Sequence, residues 1–594
     1  MGRKLVAGWR VRGGAALALV LSMQGVATAQ TAPVTPPPNL PPNALPSREQ
    51  VQPPTPGPRG TAPSTVRIDS SQAVRVAPCP LDGSDLHVAL SKISFVTPSG
   101  KPLPAQIATL LGDIRPPAGE QSVSQVCSIR DRANAALRSA GYIASVQIPP
   151  QSITAGELVL QVVTARIVEI HVHGDAGSHA QVLLARIEKL KKLDPLNQHD
   201  AERILLLASD IPGVDVQLSL RPAGTQPGDL IGNLTIVDRR FAILANVQDY
   251  GSQQLGRWTA YARAETYGVL TPDDIVYAGV SSTIQTREQK IAQAGYTTGI
   301  GNDGITLGGR FTYAWSRPDL GLLDIRSRSL IGGIDLLAPV IRSVNSNLYL
   351  GTGAEIIEQR TRVYGDGDSI GLNRDKLRVL YARASGNLRT LYPDGEEFFS
   401  LSGAFEVRKG LGILDATKRG VQSSDGYTPS RFEGDPEALV LRANLDATMS
   451  RRPFSFYTGV RGQWANHPLL NFEEFSVGNL SMGRGYDPGS NSADRAVGLT
   501  NELRFDLGLF RKLPIQLFAF NDMVWIWNLD QGTTETDRHL RSYGGGARVT
   551  LPSHLVLELT YAHPRDRALA FDKSPPPDRF LMSLTVQLSQ AGQH

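Results

Sequence analysis

"PIQLFAFNDMVW", Pro514–Trp525, alternates along its whole length. Ile515, Leu517 and Ala519 fall on one side; Gln516, Phe518, Phe520 and Asp522 fall on the other. A period of two marks an extended strand. One face is apolar, and the other is mixed and carries a carboxylate. "FFSLSGAFEVRKG" (Phe398–Gly410) repeats the pattern, with Phe399, Leu401, Phe405 and Val407 opposite Ser400, Ser402, Glu406 and Arg408. "NLYLGTGAEI" sets Leu348, Leu350, Ala354 and Ile356 on one side, and "HLVLELTYAH" does so with Leu555, Leu557, Leu559 and Tyr561. Such strands, roughly nine to eleven residues long, suit a transmembrane β-barrel. Lipid offers no hydrogen bonds, so the sheet must close. At roughly 20–22 residues per strand and connection, residues 239–594 hold about sixteen antiparallel strands. A soluble β-sandwich is the competing reading; the many even, aromatic-ended strands argue against it.

Upstream the pattern changes. Residues 79–167 and 168–238 each read strand, helix, helix, strand, strand, enough for two helices on a three-stranded sheet. In the first unit Val126, Ile129, Ala133, Ala136, Leu137 and Ala140 line one helical face, and Gly141 supplies the stop. In the second, Asn197 is a plausible N-cap. Residues 30–78 are proline-rich, which disfavours helix and sheet, so an extended linker is expected. Residues 1–29 carry Arg3, Lys4, Arg10 and Arg12, then the apolar run "AALALVLSM", then "ATAQ". This is the layout of a secretory signal peptide cleaved after Ala29, and its apolar run is too short to span a bilayer. Cys79 and Cys127 are the only cysteines. In an oxidising compartment they form one disulfide or remain two free thiols.

A formal charge of +4 is close to balance and does not point to nucleic acid. "GIGNDG", Gly299–Gly304, matches a dinucleotide fingerprint only formally, because another alternating strand follows it; a hairpin turn is the better reading. His171 and His173 share a strand face but have no third ligand at a fixed spacing. "YGDGDS", Tyr364–Ser369, lacks calcium-loop spacing. No nucleophile–base constellation is visible, so neither an enzyme, a cofactor nor a metal is expected.

Ser476–Asp494, "SVGNLSMGRGYDPGSNSAD", holds Arg484 between Gly483 and Gly485, with Tyr486 next. Five strand candidates follow this loop, which places it between strands eleven and twelve of sixteen. Asp522 faces the lumen, and a half-buried carboxylate needs a partner. Arg484 on an inward-folded loop can supply it, its planar fork suiting a carboxylate. An ordinary surface loop fits the spacing equally well. The signal, linker, paired modules and sixteen-stranded barrel together resemble the two-partner secretion transporters, within the wider superfamily of barrel-assembly factors. "MGRGY", Met482–Tyr486, is similar to that family's V-R-G-Y/F loop motif, and Phe520 with Asp522 to its F-x-D wall motif. Gly483 stands where valine is usual, and Val524 where the family commonly has glycine. "SQAGQH" runs beyond the last expected strand, and no plug helix is evident in the linker.

The resemblance implies two POTRA modules in the periplasm and an outer-membrane barrel. It also implies export of one large unfolded exoprotein, an adhesin or cytolysin, without nucleotide hydrolysis. Arg484 and Asp522 would anchor the loop, with Phe520 and Tyr486 packed around them. The implied partners are that client and outer-membrane lipid. The alternatives are an outer-membrane protein assembly factor and a passive porin.

Overall fold

A computed structural model describes residues 46–52, 68–69, 79, 81 and 86–591, apart from 154–155, 286, 322, 366–367, 511–512, 532 and 553–554. The signal segment and much of the linker lie outside the described residues. All described residues belong to one unit.

Sixteen strands form the wall. The first four are β1 (Asp229–Gln248), β2 (Thr259–Tyr267), β3 (Asp274–Thr283) and β4 (Gln289–Ile300). Next come β5 (Ile305–Ser316), β6 (Leu323–Arg342), β7 (Ser346–Tyr364) and β8 (Ser369–Leu391). Then follow β9 (Glu397–Gly410), β10 (Leu439–Arg451), β11 (Phe454–Ala465) and β12 (Arg495–Phe510). The last are β13 (Leu513–Trp527), β14 (Asp537–Leu551), β15 (Leu555–Pro564) and β16 (Arg579–Ala591). Each pairs antiparallel with the next, and β16 returns to β1, with Ser583 opposite Gln248 and Leu588 opposite Ile243. Every barrel edge is thereby paired, as a sheet in lipid requires. Ser589–Ala591 remain in β16 because β1 extends far enough down to pair Ala591 with Arg239. "GIGNDG" forms the turn between β4 and β5.

The alternation sorts side chains by solvent. Val280, Ile334, Phe405, Leu503 and Phe580 point outward and are exposed, whereas Gln293, Glu355, Gln359, Arg408 and Asp522 are buried inward. An apolar outer band around a polar lumen is the arrangement a lipid-embedded barrel needs. Among the described residues, no helix is long and apolar enough to cross a membrane.

The first module packs α2 (Ala105–Leu111) and α3 (Gln125–Ser139) on a sheet ordered 92–96, 157–164, 144–147. Ile107, Leu111, Ile129, Ala133, Leu137, Leu158 and Leu160 form its core. Gly141 ends α3 at φ +81°. Cys79 and Cys127 form a disulfide that ties the end of the linker to α3. The second module packs α4 (Ala180–Ile187) and α5 (Gln198–Ser209) on strands 166–173 and 214–222 and the lower half of β1. Asn197 caps α5, accepting from the His199 amide at 2.9 Å.

Two features differ from a simple chain of linker, modules and barrel. β1 is continuous across residues 238 and 239, so the second module's sheet runs straight into the wall. The linker is also partly structured. Ile68–Asp69 adds a parallel strand beside Leu218–Ser219. Further upstream, α1 (Arg48–Val51) carries a Ser47–Gln50 capping box. Val51 packs among Ile291, Ala314, Ile331, Ile357, Leu377 and Phe472, all on the lumenal side. The Gln359 side chain donates to the Pro46 carbonyl at 3.1 Å. A very short helix therefore sits inside the pore.

Candidate functional site

β1 rises from the modules, so the loop joining β11 to β12 opens on the far face of the barrel. That loop turns back inward as a hairpin, with Phe475–Val477 pairing Asn491–Ala493. Its tip brings Arg484 to Asp522. The Arg484 amide and Nε donate to Asp522 Oδ2 at 2.9 and 3.1 Å, and Nη2 donates to Oδ1 at 2.9 Å. The guanidinium lies 3.5 Å from the centroid of the Phe520 ring. Asp522 is 1% exposed and lies five residues below Trp527, the last residue of β13. That is about 17 Å along a strand at ~3.4 Å per residue.

Gly483, Gly485 and Tyr486, beside Arg484, each do something separable. Gly483 adopts φ +106°, a conformation that side-chain-bearing residues rarely take. Gly485 lies so close to the wall that a Cβ there would stand 2.8 Å from Ser542 Cβ and 2.9 Å from Pro564 N. Its amide donates to Ser542 Oγ at 3.2 Å. Tyr486 is fully buried, and its hydroxyl donates to the Arg541 carbonyl at 2.9 Å while accepting from the Asp566 amide at 3.1 Å. A Cβ placed on Gly483 would lie 3.9 Å from Val524 Cγ2. The two departures from the family motif thus face each other, the small residue on the loop and the large one on the wall.

Some participants were missed in the sequence. Glu502 on β12 accepts from Arg484 Nη1 at 2.8 Å, Arg504 Nε at 2.7 Å and Arg548 Nη1 at 2.6 Å. Thr500 bridges to Asp522 and accepts from Arg484 Nη2 at 3.3 Å. Arg548 stacks on Phe518, 4.2 Å from its centroid. The aromatic side chains facing the lumen on β13 are thus platforms for guanidinium groups.

Further out, Arg431 holds three outer loops together. Its Nη1 donates to Glu474 and Asp494 at 2.6 Å each, and it also reaches Asp530. Glu473 begins the inward hairpin and accepts from Arg48 of α1 at 2.5 Å, from Arg408 at 2.9 Å and from Arg442 at 2.9 Å. The lumen is therefore occupied by a loop and a helix, both held through charged contacts. His171 and His173 sit on strand 166–173, away from this site.

The sequence model of the haemolysin secretion/activation proteins ShlB/FhaC/HecB matches residues 236–549. The chain belongs to that family. It is an outer-membrane two-partner secretion transporter, with its modules in the periplasm. Among curated relatives, the heme/hemopexin transporter protein HuxB of Haemophilus influenzae is 23% identical over 466 residues, covering 75% of this chain and 78% of HuxB. HuxB of strain 86-028NP is 22% identical over 461 residues, with the same coverage. Among solved structures, CdiB from Escherichia coli superposes with a TM-score of 0.66 at 15% identity, covering 87% of this chain and 94% of CdiB. CdiB from Acinetobacter baumannii gives 0.58 at 16% identity, with 87% and 91% covered. Two-partner transporters act with secreted exoproteins.

Proposed function

We propose that this transporter exports one large exoprotein, captured unfolded in the periplasm and passed through the wetted lumen without nucleotide hydrolysis. The observation that carries this reading is the join between second module and pore. Strand 166–173 is an edge of the module sheet, parallel to the lower half of β1. The opposite edge is covered by Ile68–Asp69. Val168 and Val172 on the open edge are 42% and 40% exposed. An unfolded client can add a strand there, gaining main-chain hydrogen bonds directly below the pore. Folding of the client outside the cell then makes return unfavourable. Arg484 and Asp522 hold the inward loop in its resting place. The client is an adhesin or cytolysin; the name of the HuxB relatives adds a heme/hemopexin-transport exoprotein to the candidates.

Depletion of the chain in its own host tests this reading. Loss of a single large exoprotein from the medium is the expected result. A general fall in outer-membrane barrel proteins would instead identify an assembly factor. A photo-crosslinker at Val172 should trap that exoprotein, and capture at another surface would remove the role given to this edge.

A further inference from the structure

The outward faces of β6 and β7 change character near their outer ends. Outward-facing side chains on β6 run Arg326, Arg328, Leu330, Gly332, Ile334 and Leu336 from the outer end inward. On β7 they run Tyr364, Arg362, Arg360, Glu358 and Ile356. Ile334 is 62% exposed and Ile356 42%, as lipid-facing residues are. The arginines lie further out on the same face, with Leu330 and Gly332 between on β6 and Glu358, paired with Arg374 and Arg378 of β8, between on β7.

Strand register places these cations side by side. Lys290 is opposite Trp315, Trp315 opposite Arg328, Arg328 opposite Arg360, and Arg360 opposite Arg374. One row further out, Arg326 is opposite Arg362. Like charges directly opposed across a sheet destabilise it unless something neutralises them. On β8 the protein supplies the counter-charge itself: Asp425 lies 2.7 Å from Arg374, and Asp415 pairs with Lys376. Arg326 has Asp324 at 2.7 Å. Lys290, Arg328, Arg360 and Arg362 have no carboxylate within 4 Å among the described residues. Together with Trp315 and Tyr364, these four line an open cavity of about 670 Å³.

We propose that this cavity binds the phosphate groups of a glycolipid anchored in the outer leaflet. Guanidinium forks match phosphate oxygens bidentately, and Arg328, Arg360 and Arg362 together suit a dianion. The acyl chains of such a lipid would run down the β6 side, past Leu330 and Gly332, to Ile334 and Ile356. Trp315 and Tyr364 stand where interfacial aromatic residues stand. A free phosphate would use the cations but leave the apolar band unused. A client passing through the lumen never meets this outer face.

The test uses the purified full-length chain in detergent, with native mass spectrometry and thermal unfolding as readouts. The probes are lipid A bearing two phosphates, its dephosphorylated form, and inorganic phosphate. Charge-assisted contacts to the two phosphates imply about tenfold tighter binding of phosphorylated than dephosphorylated lipid A. Arg328→Gln/Arg360→Gln should lose about that factor, while Arg328→Lys/Arg360→Lys keeps part of it. Without lipid the Gln variant should be at least as heat-stable as the wild type, because a repulsion has gone. Either single Gln variant carries the same test if the double variant yields no folded barrel. Equal binding by wild type and Gln variant, or equal binding of the dephosphorylated lipid, would overturn the proposal. So would competition by inorganic phosphate at the same concentration as lipid A.

Discussion

At the level of single residues, burial decides how much the loop anchor matters. An ion pair in bulk-like water contributes about 0–1 kcal/mol, whereas breaking a buried pair costs about 3–5 kcal/mol. The Arg484 side chain is 18% exposed and that of Asp522 only 1%, which places the pair near the second case. Arg484→Ala or Asp522→Ala should therefore release the loop tip and cut exoprotein secretion by about tenfold or more. The barrel should still insert, since the wall strands pair independently of the loop. Arg484→Lys should not rescue secretion, because lysine lacks the planar fork and the stacking face. Wild-type levels of exoprotein in the medium of these variants would remove the anchoring role. Gly483 and Val524 permit a finer experiment. Gly483→Val forces a branched side chain to φ +106° beside Tyr486 and Val524, and such strain costs about 1–3 kcal/mol. Val524→Gly leaves a void under the tip. If the two positions share one space, the double variant should secrete better than the sum of the two single losses predicts, a coupling that a double-mutant cycle reads directly.

At the level of elements, what could be read ahead of the structure follows the physics that shaped it. The wall strands were legible because lipid imposes a period of two on each of them. Their count placed the arginine loop between β11 and β12. Phe520 and Asp522 were legible as a pair because they lie two residues apart on one strand. Glu502 was not, because it reaches Arg484 through the register of β12 against β13, which a single sequence does not display. The cation row across β4 to β8 was hidden for the same reason: its members are scattered over Lys290 to Arg374 in a chain whose net charge is near balance. In the linker, prolines masked α1, whose only local signal is Ser47 followed three residues later by Gln50. Four residues cannot hold a helix in water on their own. α1 therefore depends on Val51, on the Pro46 carbonyl and on the Arg48–Glu473 pair. Arg48→Ala/Val51→Ala should empty that part of the lumen and raise ionic conductance in a planar bilayer. Unchanged current would mean that α1 does not restrict the pore. The Cys79–Cys127 bridge spans 48 residues. On a chain-entropy estimate it contributes about 4 kcal/mol to the first module. A reducing agent should lower that module's thermal transition and leave the barrel's in place.

At the scale of the whole molecule, the second module and the barrel are one mechanical piece. Asp210 at the end of α5 accepts two bonds from Arg342 at the base of β6, at 2.9 and 2.7 Å. Arg186 of α4 reaches Asp273 in the turn after β2, and Lys189 meets Asp303 at 2.9 Å in the turn after β4. β1 carries the module's sheet into the wall without a break. If capture at strand 166–173 feeds the pore through this join, loosening the join should separate the two steps. Two glycines inserted between Asp238 and Arg239 make that separation cleanly. An insertion of two preserves the alternation of faces, so the upper half of β1 keeps its lipid and lumen sides and the barrel still closes. Glycine removes the stiffness of the strand at the junction. A client crosslink at Val172 should persist in this variant while exoprotein in the medium falls severalfold. Secretion at the wild-type level, with the crosslink intact, would show that the client finds the pore without being delivered by a rigid module.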